Sequence, residues 1–81
     1  MGHQVTVFPP QADSYNQAVE KLTDVNELLN ADIGYIAVAG RTRVGNYILC
    51  HEEGLLRKLP QNNHFPHLVG TVVIAPPALV E

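Results

Sequence analysis

Two short stretches bring together most of the side chains with which this sequence could do chemistry. Cys50-His51-Glu52-Glu53 sets a thiol, an imidazole and two carboxylates in a row, and His64-x-x-His67 adds two further imidazoles. Zinc takes four tetrahedral ligands, usually His or Cys at tight spacing, so a fold that joined the two stretches would offer a metal site. The structural alternative is a pair of loop histidines and a buried thiol, since a free cysteine is commonly a small core hydrophobe. Pro66 restricts the His64–His67 chelate without forbidding it. A thiol nucleophile would need Cys50 and His51 to face each other, but neighbours in a strand point to opposite faces. Cys50 also continues the apolar run Tyr47-Ile48-Leu49. Glu52 and Glu53 diverge for the same reason and make a poor acid–base pair. Glu53 before Gly54 suits a turn cap, and Asn62 after Leu59-Pro60 suits that role in its own loop. Both also stand as candidate ligand or partner contacts. The expectation is a protein with no catalytic residues, no metal and no cofactor.

The cations fall in two pairs, Arg41 with Arg43 and Arg57 with Lys58. Gly40-Arg41-Thr42-Arg43-Val44-Gly45 is glycine-flanked and basic, yet it lacks the spacing of a phosphate-binding P-loop. A strand follows it, so no helix N-terminus is offered to an anion. The arginines of a hairpin tip could still clamp a phosphate bidentately, Arg57 and Lys58 could add to it from another loop or another subunit, and Tyr35 or Tyr47 could stack a base. The alternative is two solvated turns. The candidate ligand- or partner-binding residues are therefore Arg41, Arg43, Glu53, Arg57, Lys58 and Asn62.

Composition narrows the partners. The chain has 81 residues and a formal net charge of -3. A nucleic-acid binder usually shows a basic face, and the eight acidic residues are too scattered to imitate the regular charge of DNA. No stretch approaches the length of a membrane span, and Met1-Gly2-His3-Gln4 does not open a secretory signal. Gly2 with Thr6 matches the myristoylation pattern, but residues 4–8 read as a core strand. A single cysteine excludes an internal disulfide and fits a reducing cytoplasm.

The elements that must position these residues follow from periodicity and punctuation. Gln4–Phe8 is β-branched and apolar, hence a strand, and Pro9-Pro10 stops it. Tyr15, Ala18, Val19, Leu22, Val25 and Leu29 follow helical spacing, and Ser14 with Gln17 resembles a capping box, so one amphipathic helix over 14–30 is the simplest reading. Asp24 with Glu27 offers a second capping box, which would start the helix there and leave 18–22 extended. Asp32-Ile33-Gly34 closes the helix. Tyr35–Ala39 and Tyr47–Cys50 are strands joined by a Gly40–Asn46 hairpin loop. Leu55–Leu59 is a short turn or one-turn helix, 61–66 a loop, and Leu68–Ile74 the last strand, with 78–81 a flexible tail. The order strand–helix–strand–strand–short helix–strand makes one small α+β domain: a mostly antiparallel sheet of about four strands, covered by one main helix. The last strand is continuously apolar, which calls for burial on both faces. One helix covers one face, so a homo-oligomer is expected to cover the other.

The second half carries a recognisable order of motifs: Gly34-Tyr35-Ile36, then Glu52-Glu53-Gly54, then Leu59-Pro60-x-Asn62, then Gly70-Thr71 opening the last strand. Over roughly residues 24–75 this resembles a family of short phage, prophage and mobile-element proteins of unassigned function. His51 stands where the resemblance expects Asn or Asp, and Leu55 where it expects a polar residue. The resemblance implies an accessory protein acting in the cytoplasm of a bacterial host. Proteins of that kind often counter host defence. The function expected is non-enzymatic binding of a host protein. The alternative is an oligomeric sponge for a small anionic, nucleotide-type ligand held by Arg41, Arg43, Arg57 and Lys58 at loops or subunit interfaces. Neither nucleic acid nor membrane is expected as a partner.

Overall fold

The computed structural model describes residues 2–29 and 36–80. Five strands, β1 (His3–Phe8), β2 (Tyr15–Val19), β3 (Ile36–Arg41), β4 (Tyr47–His51) and β5 (Val72–Ala75), form one sheet in the order β2-β1-β5-β4-β3. All neighbours are antiparallel. Two helices accompany them, α1 (Leu22–Leu29) and α2 (Pro77–Val80). The chain makes two hairpins, β1–β2 and β3–β4, and the final strand slides between them. β5 is therefore central, and Val72 and Val73 are both fully buried although successive residues of a strand point to opposite faces. That is the burial its apolar run calls for.

On one face Val5, Val7, Val19, Leu49, Val73 and Ala75 meet Val25 and Leu29 of α1 and Leu79 of α2. Residues 52–71 fold back along the sheet as an arm, and Gly54, Leu55 and residues 67–69 of it line a groove with Ala37 and Cys50 of the other face. Phe65 packs edge-on against Phe8 at 5.1 Å between ring centroids. The Asn63 N–H donates to the Pro10 carbonyl at 2.8 Å, and His64 Nε2 lies 2.7 Å from the Ala12 carbonyl oxygen. At the Phe8–Val72 end of the sheet the chain itself covers this face.

The α+β class holds in its broad form, but the layer is mostly sheet and its order differs from the expected one. Residues 15–19 are strand, not helix. They pair along their length with β1, from Val7↔Tyr15 to His3↔Val19. Tyr15 is 47% exposed and Ala18 is exposed, so their helical spacing marks no buried face. β1 would otherwise leave a row of backbone donors and acceptors unpaired, and satisfying that row outweighs a weak periodic pattern. The helix begins only at Leu22. Asp24 is its third residue rather than its cap, and its carboxylate reaches back to accept the N–H groups of Glu20 at 2.9 Å and Lys21 at 3.2 Å, the returning half of a capping box.

Three smaller differences have local causes. Of the expected last strand, 68–74, only 72–74 pairs as strand, extended by Ala75, because Gly70 turns the chain at φ 73° and Val69 makes a single bridge to Gln61. Gly40 and Arg41 belong to β3, which carries a bulge between Val38 and Gly40. Residues 77–80 form α2 instead of a free tail, and Leu79 is only 8% exposed in the core. The expected helix closure at Asp32–Gly34 and the start of a strand at Tyr35 lie outside the described residues.

Candidate functional site

Beyond β4 the chain enters a turn whose hydrogen bonds follow one another without a gap. Gly54 N–H donates to the His51 carbonyl at 3.1 Å, and Arg57 N–H to the Glu53 carbonyl at 3.0 Å. Lys58 N–H then donates to the Leu55 carbonyl at 3.2 Å and Leu59 N–H to the Gly54 carbonyl at 3.1 Å. These last two bonds are the pair that ends a helix in a Schellman motif. Lys58 holds the left-handed position of that motif at φ 54°, where glycine is usual. The turn is also packed from below. A Cβ built on Gly54 would lie 2.7 Å from Val69 Cγ2, so the arm approaches the turn as closely as glycine permits.

This closed turn presents its apolar side chains to solvent: Leu55 is 82% exposed and Leu56 80%. Beside them runs a groove of about 180 Å3, lined among others by Ala37, Cys50, Leu55, His67, Leu68 and Val69. The Glu53 carboxylate pairs with Arg57 at 3.5 Å, four residues along the same turn. Its role is thus a side-chain ion pair, while its own N–H donates to His51 Nδ1 at 3.0 Å.

The remaining candidates do not join this cluster. Arg41 lies over the Tyr47 ring at 4.5 Å, and its Nη2 donates to the Gly45 carbonyl at 2.9 Å, so it braces the β3–β4 hairpin. Arg43 is in the same turn. The five residues of β4, at roughly 3.4 Å each, separate that pair from Arg57 and Lys58. Within one chain the four cations do not converge. Asn62 is fully buried, and its amide is committed: Nδ2 donates to the carbonyls of Phe8 at 2.8 Å and Gly70 at 2.9 Å. Its Oδ1 accepts the N–H groups of His64 at 2.8 Å and Phe65 at 3.1 Å. Two donors and two lone pairs are the whole capacity of that amide. Asn62 caps its loop from inside, and it offers a ligand nothing.

Cys50 and His51 face opposite sides of the sheet, as their pairing with Ala37 and Ile36 requires. Burial pushes the Cys50 thiol pKa up, away from the thiolate a nucleophile needs. His64 edges onto Phe8 and His67 onto Phe65. Among the described residues no group of three or more His, Cys, Asp or Glu is placed to hold a metal ion.

His51 itself is 5% exposed, with Nδ1 bonded and Nε2 buried without a partner. The sequence offered His51 only as a metal ligand or a partner of Cys50, and it did not single out Leu55 and Leu56 as contacts. The signal for the leucines was present: two large apolar residues directly after Glu-Glu-Gly, outside any helical or alternating pattern. For His51 the signal was a titratable residue on the core face of an otherwise apolar strand.

No helix among the described residues is long and apolar enough to cross a membrane. Comparison with family models, with curated proteins and with solved structures finds no match to this chain.

Proposed function

We propose that this chain is a non-enzymatic binding protein that docks a protein partner through the Leu55–Leu56 turn and the groove beside it. The observation that carries the reading is the exposure of two adjacent leucines, 82% and 80%, on a turn closed by its own backbone hydrogen bonds. Exposed leucines scattered singly are ordinary. A rigid pair costs a partner little ordering entropy on docking, and a neighbouring groove lets the partner seat a side chain of its own. Glu53, Arg57 and Lys58 stand around the leucines as the polar rim that would set register. The resemblance to phage and mobile-element accessory proteins makes the partner a protein of the bacterial host, met in its cytoplasm, and makes interference with a defence system the biological outcome.

The test is photo-crosslinking from position 56 in a bacterial lysate, in parallel with capture by the wild-type chain and by a Leu55→Ser/Leu56→Ser variant. The expected result is one protein that crosslinks and is captured by the wild type. The variant should lose it at least tenfold while keeping the wild-type unfolding midpoint. Equal capture by the variant, or no crosslink, overturns the reading.

A further inference from the structure

The two edges of the sheet, β2 and β3, meet solvent differently. An edge strand turns every second N–H and C=O away from its neighbour, and natural edges blunt that row with charges, bulges or a cover. β2 is polar and exposed over residues 15–18, and its own Gln17 Nε2 donates to the Ala18 carbonyl at 3.2 Å. β3 has no such guard. Among the described residues it has a strand on one side only, and from Ile36 to Gly40 it carries no polar side chain. Its bulge comes after Val38 and leaves Ile36–Val38 in regular pairing with β4. Ile36 and Val38 lie opposite His51 and Leu49, on the core face of the sheet. α1 packs over that face at β2 and β5, and Val38, toward the β3 end, stays 52% exposed.

We propose that β3 pairs with β3 of a second copy, antiparallel about a two-fold axis at Ala37, so that two five-stranded sheets become one. A two-fold contact must be self-complementary, and this stretch is. Ile36 comes opposite the second copy's Val38 and Val38 opposite its Ile36, apolar against apolar on the core face. Ala37 meets its own copy with little bulk between them. Charge selects the antiparallel arrangement. Arg41 is the only charge on β3, and parallel strands in register would set two arginines side by side. About the axis at Ala37 they stand about eight residues apart, roughly 25 Å, beyond the reach of screened repulsion. The contact is short and belongs at the small end of interface sizes, so the dimer is a weak one. It goes beyond the docking reading, because neither Leu55 nor Leu56 supplies a pairing residue.

Sedimentation equilibrium over a concentration series is the first test. The mass is expected to rise from the 8.9 kDa of one chain toward twice that value, by a concentration of about 1 mM. Val38→Lys, whose fold is checked by its unfolding midpoint, is expected to weaken the dimer at least tenfold. Leu55→Ser/Leu56→Ser is expected to leave it in place. The second test is a crosslink at the axis. Ala37→Cys is made in a Cys50→Ala background, because Ala37 faces Cys50 within the chain. Opposed residues of antiparallel strands lie about 4.5–5.5 Å apart, within the range of a disulfide. Mild oxidation is expected to trap a disulfide dimer, and Gln17→Cys in the same background, on the other edge, to crosslink at least tenfold more slowly. Should Val38→Lys unfold, the crosslink decides. A single-chain mass throughout, a dimer indifferent to Val38→Lys or lost with the two leucines, or equal crosslinking from both edges each overturns the proposal.

Discussion

Asn62 Nδ2 donates to the carbonyl of Phe8 at 2.8 Å across 54 residues of chain. One buried amide thereby ties the end of the first strand to the arm that precedes the last. The same nitrogen holds Gly70, and the oxygen orders His64 and Phe65. This side chain joins the Asn63–Pro10 hydrogen bond and the Phe65–Phe8 contact in fastening to the sheet the arm that carries the Leu55–Leu56 turn.

Asn62→Ala is accordingly expected to be among the costliest substitutions in the chain. It leaves the Phe8 and Gly70 carbonyls and two backbone N–H groups short of a partner, and buried groups left so cost about 1–3 kcal/mol each before water relieves some of them. A loss of about 3–5 kcal/mol, near the whole stability of a small domain, should appear as a large drop in the urea midpoint. Asn62→Asp should be no better, because it sets an acceptor against two carbonyl oxygens. A variant within about 0.5 kcal/mol of wild type would mean that the amide does not fasten the arm.

Lys58 leads to the opposite sign. Its φ of 54° is left-handed, a region that costs a residue with a Cβ roughly 1–2 kcal/mol. Lys58→Gly removes that strain but makes the unfolded chain more flexible. A net gain of about 1 kcal/mol is expected, or about 4–8 °C in Tm for a domain of this size. Lys58→Ala keeps the strain and should leave Tm unchanged. If the lysine is part of the docking rim, Lys58→Gly will bind the captured partner more weakly while unfolding at a higher temperature.

The strands other than β2 were largely legible in the sequence because each has a local signature: β-branched runs stopped by Pro9-Pro10, by the Gly45 turn and by Pro76-Pro77. β2 was not, because Tyr15-Asn16-Gln17-Ala18-Val19 has little to bury. Its reason to be extended lies in the open edge of β1, a tertiary cause that no window of sequence contains. The same holds for the site. Glu53, Arg57 and Lys58 were found as charges, but their place around Leu55 and Leu56 depends on a turn fixed by Gly54 against Val69. Asn62 was read correctly as a loop cap and incorrectly as a contact, since only the fold shows that both of its amide atoms are used up.

Asp24 gives a pH prediction whose sign follows from its hydrogen bonds. The N–H groups of Glu20, first, and Lys21, second, hold its carboxylate below the ordinary pKa. A group depressed on folding contributes stability above its unfolded pKa and loses that contribution as pH falls through its folded one. Asp24→Asn removes the titration. Unfolding midpoints of wild type and Asp24→Asn, compared from neutral pH down to pH about 2, should differ in favour of the wild type at neutral pH. The difference should shrink below pH about 4. A difference independent of pH would show that the charge plays no part at the start of α1.

Cys50 gives the last prediction. It lies on the sheet face opposite Leu49, partly covered by the arm at the groove beside Leu55, and burial raises its pKa. The thiolate is the reactive form, so alkylation at neutral pH should be several-fold slower in the folded chain than in the urea-unfolded one. Asn62→Ala, which frees the arm, should remove much of that protection. Leu55→Ser/Leu56→Ser, which changes the turn without unfastening it, should keep most of it. Rapid alkylation of the wild type would place Cys50 in open solvent, and the groove beside the leucines would then lack the floor on which a partner's side chain is to rest.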